Sequence, residues 1–524
     1  MSGFSDRSVY GMKGKYRFIL NGAVLAVAGI IIRTVAVSFN GYVSRRVGAE
    51  GMGLFTLVMS VYGLAVTLAS SGVNLAVVRM TAESVAAGGG RGEVSRIMRR
   101  AMLYGLGFGV LSAVILFFSA GVIGERVLGD VRTVISLRAM AFGMPPIAVT
   151  SALAGYFTGI GRAYKNAIIS AVEQAVKIIL IICGIVIFLP MGIKYACFAL
   201  VLASALAEGG SLLTSYLMYI SDKRHLSRGG VGHKGSIFSK IYSIAFPVAV
   251  GSYLRQGLIT AEHIAIPWGL KKNGADQSKA LESYGVLSGM ALPLVLYPSA
   301  IIGAFTGLLV PELAGLAEKG RRDDAGRLSL SAVKVAILFS VGVSGALSFF
   351  GYELGIGVYG SGDAGNFIRI LAPLVPLMFL DTTVDCILKG LGEQVYTMKV
   401  NIIDAAICLV FVILLVPKMG IYGYIVVIYV SEAINAALSI DRMQRVTGIR
   451  INVPMLLIPF AGVAVAGAVV HIADMYLVYV VGVNPVNTLK IVMYAVVYLC
   501  FVYLWEKRGD LAGKKIFQKN RKKL

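Results

Sequence analysis

Long apolar runs separated by short charged turns dominate the chain. Residues 54–78, 101–124, 139–161, 283–311 and 451–473 carry no Asp, Glu, Lys or Arg. Each exceeds the ~20 residues that a helix needs to cross hydrocarbon. Allowing an occasional internal charge, the pattern predicts fourteen spans, near 17–42, 53–78, 101–123, 133–158, 167–190, 195–220, 240–266, 284–311, 329–351, 368–388, 399–417, 421–440, 453–473 and 487–505.

Composition agrees. Of 524 residues, 57% are hydrophobic, and the mean hydropathy is +0.79. That is more apolar surface than a soluble protein of this length needs, so the fold class is an all-α polytopic membrane protein. The 62 glycines fit helices packed closely in lipid, where small residues let backbones approach. The five cysteines, Cys183, Cys197, Cys386, Cys408 and Cys500, are scattered through apolar segments and show neither metal-ligand spacing nor a disulfide framework. The opening stretch MSGFSDRSVYGMKGKYR lacks a signal-peptide cleavage pattern, so the first span is expected to be retained.

A net charge of +22 would suggest nucleic acid in a soluble protein. Here the charge lies in short loops and at the ends, so it is read as topology and contact with anionic lipid, and no nucleic-acid partner is expected. With the N-terminus in the cytoplasm, cytoplasmic segments hold about 33 Lys and Arg and external loops about nine. The cytoplasmic ones include RGEVSRIMRR (91–100), SDKRHLSRGGVGHK (221–234), EKGRRDDAGR (318–327) and the tail KKIFQKNRKKL (514–524). An even span number puts both termini inside.

Two stretches repeat. YFTGIGRAY (156–164) resembles ILKGLGEQVY (387–396), and FLPMGIKYACFALVLA (188–203) resembles LVPKMGIYGYIVVIYV (415–430). Upstream, GMPPIAVTSALAG (143–155) resembles PLVPLMFLDTTVD (373–385). The offset spans six helices, an even number, so both copies enter the membrane in one direction. This is a parallel repeat about an axis along the membrane normal. The expected division is an N-lobe of spans one to six (1–232), a C-lobe of spans seven to twelve (233–450), and spans thirteen and fourteen with the basic tail (451–524).

Six plus six plus two spans resemble the multidrug/oligosaccharidyl-lipid/polysaccharide exporter superfamily. Three stretches carry the likeness: RRVGAEGMGLF (45–55), YGVLSGMALPLVLYPSAIIGAFTGLLVPELA (284–314), and TGIGRAYKNAI with the later FLPMGIKYA. Within the superfamily they are similar to the lipid II flippase branch that includes stage V sporulation protein B. The resemblance implies a V-shaped fold of two lobes and a cavity lined by spans one, two, seven and eight. It also implies transport of a lipid-linked sugar from inner to outer leaflet. Where relatives usually carry a basic residue near the end of the first span, the stretch VSFNGY has Asn40. Either Arg33, Arg45 or Arg46 then makes the headgroup contact, or the substrate differs.

Flipping needs no covalent chemistry. A sugar pyrophosphate must cross ~30 Å of hydrocarbon while its polyprenyl tail stays in lipid. Arginine suits the phosphates, because its planar fork binds oxygens in pairs and stays charged when buried. Arg33 interrupts the first span and Arg255 the seventh. Both are candidate headgroup ligands, or else structural partners of Glu262 or Glu208. Arg45 and Arg46 are candidates for an outer cavity mouth, or solvated loop charges. Glu262 lies seven residues after Arg255 on the same helical face, ~10 Å away along the axis. It and His263 are candidates for the wet face of that span, with Glu262 also a candidate for a coupling proton or cation. Glu173 and Lys177, at i and i+4, are expected to pair. Asp381, Asp385 and Asp404 are candidates for a sodium or proton site, or for pairing with Lys389 or Lys399. No cofactor is expected. Na+, H+ or the membrane potential, about 2.3 kcal/mol per charge per 100 mV, are candidate energy sources.

Two functions compete within the superfamily. One is a flippase for lipid II, a spore-cortex precursor, or capsular and O-antigen-type repeat units. The other is a drug/cation antiporter, disfavoured by arginines in the central spans and by spans thirteen and fourteen. An enzyme is not expected, since no loop is large and there is no Walker A sequence or metal cluster. The implied setting is a bacterial plasma membrane, with an undecaprenyl-pyrophosphate-linked glycan as partner and a monomer as the working form.

Overall fold

The computed structural model describes residues 6–87, 90–224, 236–449, 453–479 and 487–521, and among these there is no strand. The helices are α1 (Asp6–Ser70), α2 (Val73–Ala86), α3 (Arg91–Val122), α4 (Arg132–Ala141), α5 (Met144–Gly159), α6 (Tyr164–Phe188), α7 (Ile193–Arg224), α8 (Ile237–Lys272), α9 (Gln277–Tyr284), α10 (Leu292–Val295), α11 (Ser299–Glu318), α12 (Arg322–Tyr359), α13 (Gly362–Leu371), α14 (Val375–Gly390), α15 (Gln394–Met419), α16 (Ile421–Thr447), α17 (Val453–Tyr479) and α18 (Asn487–Arg521). The side chains of loop 225–235 and of the basic tail 514–524, on which the anionic-lipid expectation partly rests, lie outside the described residues.

Among the described residues, eleven helices are long and apolar enough to cross a membrane, or twelve if α4 and α5, bent by 45°, form one span. The continuous stretch Gly29–Ala86 is 58 residues long, enough for two crossings, and turns at Gly48 (φ 77). The eighth expected span is broken into α9, a π-helical segment Gly285–Ala291, α10 and α11. The helices are compatible with the fourteen spans read from hydropathy.

The repeat is visible as geometry. In GIGR and GLGE the second glycine is left-handed in both copies, Gly161 at φ 73 and Gly392 at φ 87. Each ends a helix with a conformation that side chains resist. The residue after each glycine then reaches across to a later helix. Arg162 and Lys165 bind the buried carboxylate of Asp222 at the end of α7, Lys165 at 2.6 Å. In the second copy, Glu393 receives both arms of Arg442 at the end of α16, at 2.8 and 2.9 Å for one nitrogen and 3.2 Å for the other. An aromatic ring backs each cation: Phe157 under Lys165 and Tyr396 under Arg442.

By contacts the chain divides into two compact units, one of residues 1–290 and 398–428, the other of 291–397 and 429–524. The contact units differ from the repeat units: α8, α9 and α15 pack with the first unit. Its core joins α2, α3, α5 and α8 through Val73, Ile97, Met98, Tyr156, Phe157 and Ile241. The second unit has one core around Leu313, Val333, Val384, Ile387 and Met443, and another where Phe350, Val470, Tyr494 and Tyr498 join α12 to α17 and α18.

Candidate functional site

The first unit contains the ionisable residues of α8 and the elements that surround them. Antiparallel packing of α8 on α1 and α2 is fixed by side chains at successive heights. Lys240 binds Glu83 at 2.8 Å, Tyr253 bonds Ser71 at 2.6 Å, and Thr260 donates to the Ser60 carbonyl at 3.0 Å. Beyond α8, Gly53 and Gly285 bring α1 and the π-helical segment into backbone contact. A Cβ on Gly53 would lie 2.0 Å from the Leu281 carbonyl oxygen, and one on Gly285 would lie 2.1 Å from that of Ala49.

Hydropathy treats 53–78 as one span, but the helix breaks inside it. Ser71 (φ 41) and Gly72 (φ 69) are both left-handed, and they separate α1 from α2. Serine in that region is strained, and the Tyr253 hydroxyl holds it there. Gly72 lies against the backbone of Ala245, where a Cβ would meet the carbonyl oxygen at 2.6 Å. A break within a membrane helix frees backbone groups and marks a place where polar atoms collect.

Beside this break is a polar cavity of about 330 Å³ lined by Thr67, Ser70, Gly72, Ser252, Arg255 and Gln256. Arg255 is exposed into it, and among the described residues no carboxylate lies within ion-pair distance of its guanidinium. The alternative pairing of Arg255 with Glu262 or Glu208 is therefore absent from this structure. Glu208 instead accepts a hydrogen bond from Tyr62 at 3.1 Å.

Glu262 and His263 take part in a different arrangement two turns further along α8. His263 Nδ1 is 2.8 Å from the hydroxyl of Tyr284, which is completely buried at the end of α9. Tyr284 and Tyr424 lie close to Ser288 of the π-helical segment, whose buried hydroxyl closes no hydrogen bond of good geometry. Tyr424 also lies near the Glu262 carboxyl, and Asp404 of α15 acts on that carboxyl electrostatically. The result is a polar cluster of one imidazole, two phenols, a hydroxyl and two carboxyls, in which His263 and Tyr284 are directly bonded. None of these residues lines the Arg255 cavity.

The other candidates are placed as follows. Arg33, Arg45 and Arg46 are exposed, and Arg46 lies over the Tyr42 ring. Asn40 donates to the Gly289 carbonyl at 3.0 Å, so its amide is used within the unit. In the second unit, Asp381 accepts from Asn435 at 3.3 Å, and Asp385 faces Lys389 at 3.4 Å. Asp404 belongs to the first unit, beside Glu262. Lys177 does not close an ion pair with Glu173; it lies within electrostatic reach of both Glu173 and Glu208. Between α3 and α4, Arg132 binds Asp130 at 2.7 Å and Glu50 at 2.8 Å. Burial works against ionisation of Asp130, but the hydrogen bonds from Arg132 outweigh it and hold the carboxyl below its usual range. Ser278, in the first turn of α9, donates to the same Glu50 at 2.8 Å. Hydropathy could not reveal Tyr62, Tyr284, Ser288 or Tyr424, because uncharged polar residues barely alter an apolar run.

Comparison with known proteins agrees with this architecture. The chain is 27% identical to "Stage V sporulation protein B" of Bacillus subtilis (strain 168) over 472 residues, 88% of this chain and 90% of that protein. It is 22% identical to "Sporulation protein YkvU" of the same organism over 311 residues, 57% of this chain and 65% of that protein. Among solved structures, the lipid II flippase MurJ in an inward closed conformation matches with a TM-score of 0.68 at 13% identity, over 93% of this chain and 99% of that one. An inward-facing multidrug resistance MATE family transporter of the MOP superfamily matches with a TM-score of 0.60 at 16% identity, over 82% of this chain and all of the other. These structural likenesses show the fold shared by a named flippase and a named transporter. The model for the family "Polysaccharide biosynthesis protein" matches residues 18–316, and the chain belongs to that family.

Proposed function

We propose that this protein is a flippase that moves a lipid-linked oligosaccharide from the inner to the outer leaflet of a bacterial plasma membrane by alternating access. The observation that carries this reading is Arg255, a cation without a carboxylate partner in a polar cavity beside a broken membrane helix. A charge in such a place is costly unless it meets water or an anionic ligand. The guanidinium supplies a fork for pyrophosphate oxygens, and Thr67, Ser70, Ser252 and Gln256 supply hydroxyl and amide groups for sugars. Arg33, Arg45 and Arg46 are the other cations of the proposed path, and both termini are cytoplasmic.

The relatives named for sporulation favour lipid II or a related spore-cortex precursor as cargo, over capsular or O-antigen-type repeat units. Two carboxylate sites are proposed to take a coupling proton or sodium ion: Glu262 with Asp404, and Asp381 with Asn435. The test is rescue. The full chain is expressed in a bacterium depleted of its own lipid II flippase, and growth and lipid II on the outer leaflet are scored. Rescue supports lipid II cargo. Failure to rescue, with the protein present in the membrane, rejects lipid II and leaves the polysaccharide repeat units.

A further inference from the structure

α6 and α7 carry a second group of ionisable side chains that neither the arginine cavity nor the α8 network uses. Glu173 and Lys177 are one turn apart on α6, and Glu208 and Ser211 are one turn apart on α7. Tyr62 of α1 donates to Glu208 at 3.1 Å. Glu208 feels the charges of Glu173 and Lys177, and Lys177 feels those of both carboxyls. Ser211 Oγ is completely buried; it is turned toward Glu173 without closing a bond of good hydrogen-bonding geometry. All five residues belong to the first unit, on helices apolar enough to lie in hydrocarbon.

The charge of this cluster does not balance. Two carboxylates face one ammonium, and among the described residues no second cation acts on Glu173 or Glu208. An uncompensated charge at that depth costs several kcal/mol. One more positive charge would neutralise the cluster. A metal ion is poorly served, because the Lys177 ammonium lies within electrostatic reach of both carboxyls and repels a second cation between them. A proton needs one carboxyl oxygen, and two carboxylates that share a site tend to bind one.

We propose that Glu173, Lys177, Glu208 and Tyr62 form a proton-binding site holding one exchangeable proton, carried by Glu208. The Lys177 ammonium lies within electrostatic reach of both carboxyls, while the Tyr62 hydroxyl bonds Glu208. Loss of the proton leaves the cluster with a net negative charge, so the first unit has two charge states that depend on pH. The proposal does not depend on which lipid is carried.

The test uses the purified full chain in lipid nanodiscs without any glycolipid, so its outcome is independent of the cargo. Infrared difference spectra are taken across a pH titration. The expected result is a protonated carboxyl stretch that is lost in Glu208→Gln. Its midpoint should move to higher pH in Lys177→Met, where the stabilising cation is gone, and to lower pH in Glu173→Gln, where the repelling carboxylate is gone, each by about one pH unit or more. Should Glu208→Gln fail to fold, the two opposite shifts carry the test alone. A band that persists in Glu208→Gln, or a midpoint that neither neighbour moves, overturns the proposal. So does a band abolished in the unaltered protein by sodium at constant pH, which would make the cluster a metal site.

Discussion

The two halves of α8 treat their ionisable groups in opposite ways. In the half facing the α1–α2 break, Arg255 opens into a polar cavity, and a Cβ on Gly63 would meet only the mobile amide end of Gln256, at 2.8 Å. In the half toward α9, His263 is bonded to the buried Tyr284 hydroxyl, Glu262 lies near Tyr424 and Asp404, and the glycines of α1 and the π-helical segment touch backbone. One helix thus carries a segment that opens into a cavity and a segment packed against close-set backbone. Charge inside a membrane span is therefore a weak guide to ligand binding by itself. Whether its partners are already present decides the matter.

The largest effect expected from this contrast is on transport. Arg255→Ala removes a cation whose partners are supplied by cargo, so flipping should fall at least about tenfold, with thermal stability unchanged. Arg255→Lys keeps the charge but loses the fork, and should fall between the two. The assay is outer-leaflet appearance of lipid-linked glycan in the rescue strain. Full activity in Arg255→Ala would remove the distinction between the two halves.

In the rigid half the effects should appear as stability. Gly53→Ala places a methyl against the Leu281 carbonyl oxygen, which cannot move as a side chain can, so about 3 kcal/mol of overpacking cost is expected. Tyr284→Phe leaves a half-buried imidazole nitrogen without its phenol and should cost about 1–2 kcal/mol. Thermal unfolding in detergent reads both. A Gly53→Ala protein as stable as the parent would show that the α1–α9 contact is not tight.

Much of the fold was legible because it follows from hydropathy and repetition. Most expected spans fall inside helices that run further, α3 from Arg91 and α12 over Arg322–Tyr359, and the likeness of GIGR to GLGE is plain in the letters alone. The clamp following each glycine was not legible: the repeat keeps the ion pair but reverses its polarity, Arg162 to Asp222 in one copy and Glu393 to Arg442 in the other. A pattern search for identical charges misses such a pair, since an ion pair needs only opposite signs at a fixed separation. The candidate site was legible in part. Arg255 stands out as a charge in an apolar run, whereas the division between it and Glu262 depends on Tyr284, Ser288 and Tyr424, which come from three other stretches of chain. Helical spacing places Glu262 on the same face as Arg255, but what that face meets changes within two turns. The break at Ser71–Gly72 carries only a weak signal, because small polar residues are common in membrane helices.

The smallest effect is the sharpest test of the yielding half. Gly63 lies on α1 opposite Gln256, and Gly63→Ala requires only that a flexible amide shift by a few tenths of an ångström. Alanine also loses less conformational freedom in a helix than glycine, by up to about 1 kcal/mol. Stability should therefore stay level or rise slightly, while transport changes modestly because Gln256 lines the cavity. The paired comparison with Gly53→Ala is informative, since the same methyl is added to the same helix about three turns away. Equal damage at both positions would mean that the cavity wall is as rigid as the α9 contact, and that the open space around Arg255 is fixed rather than adaptable to a large headgroup.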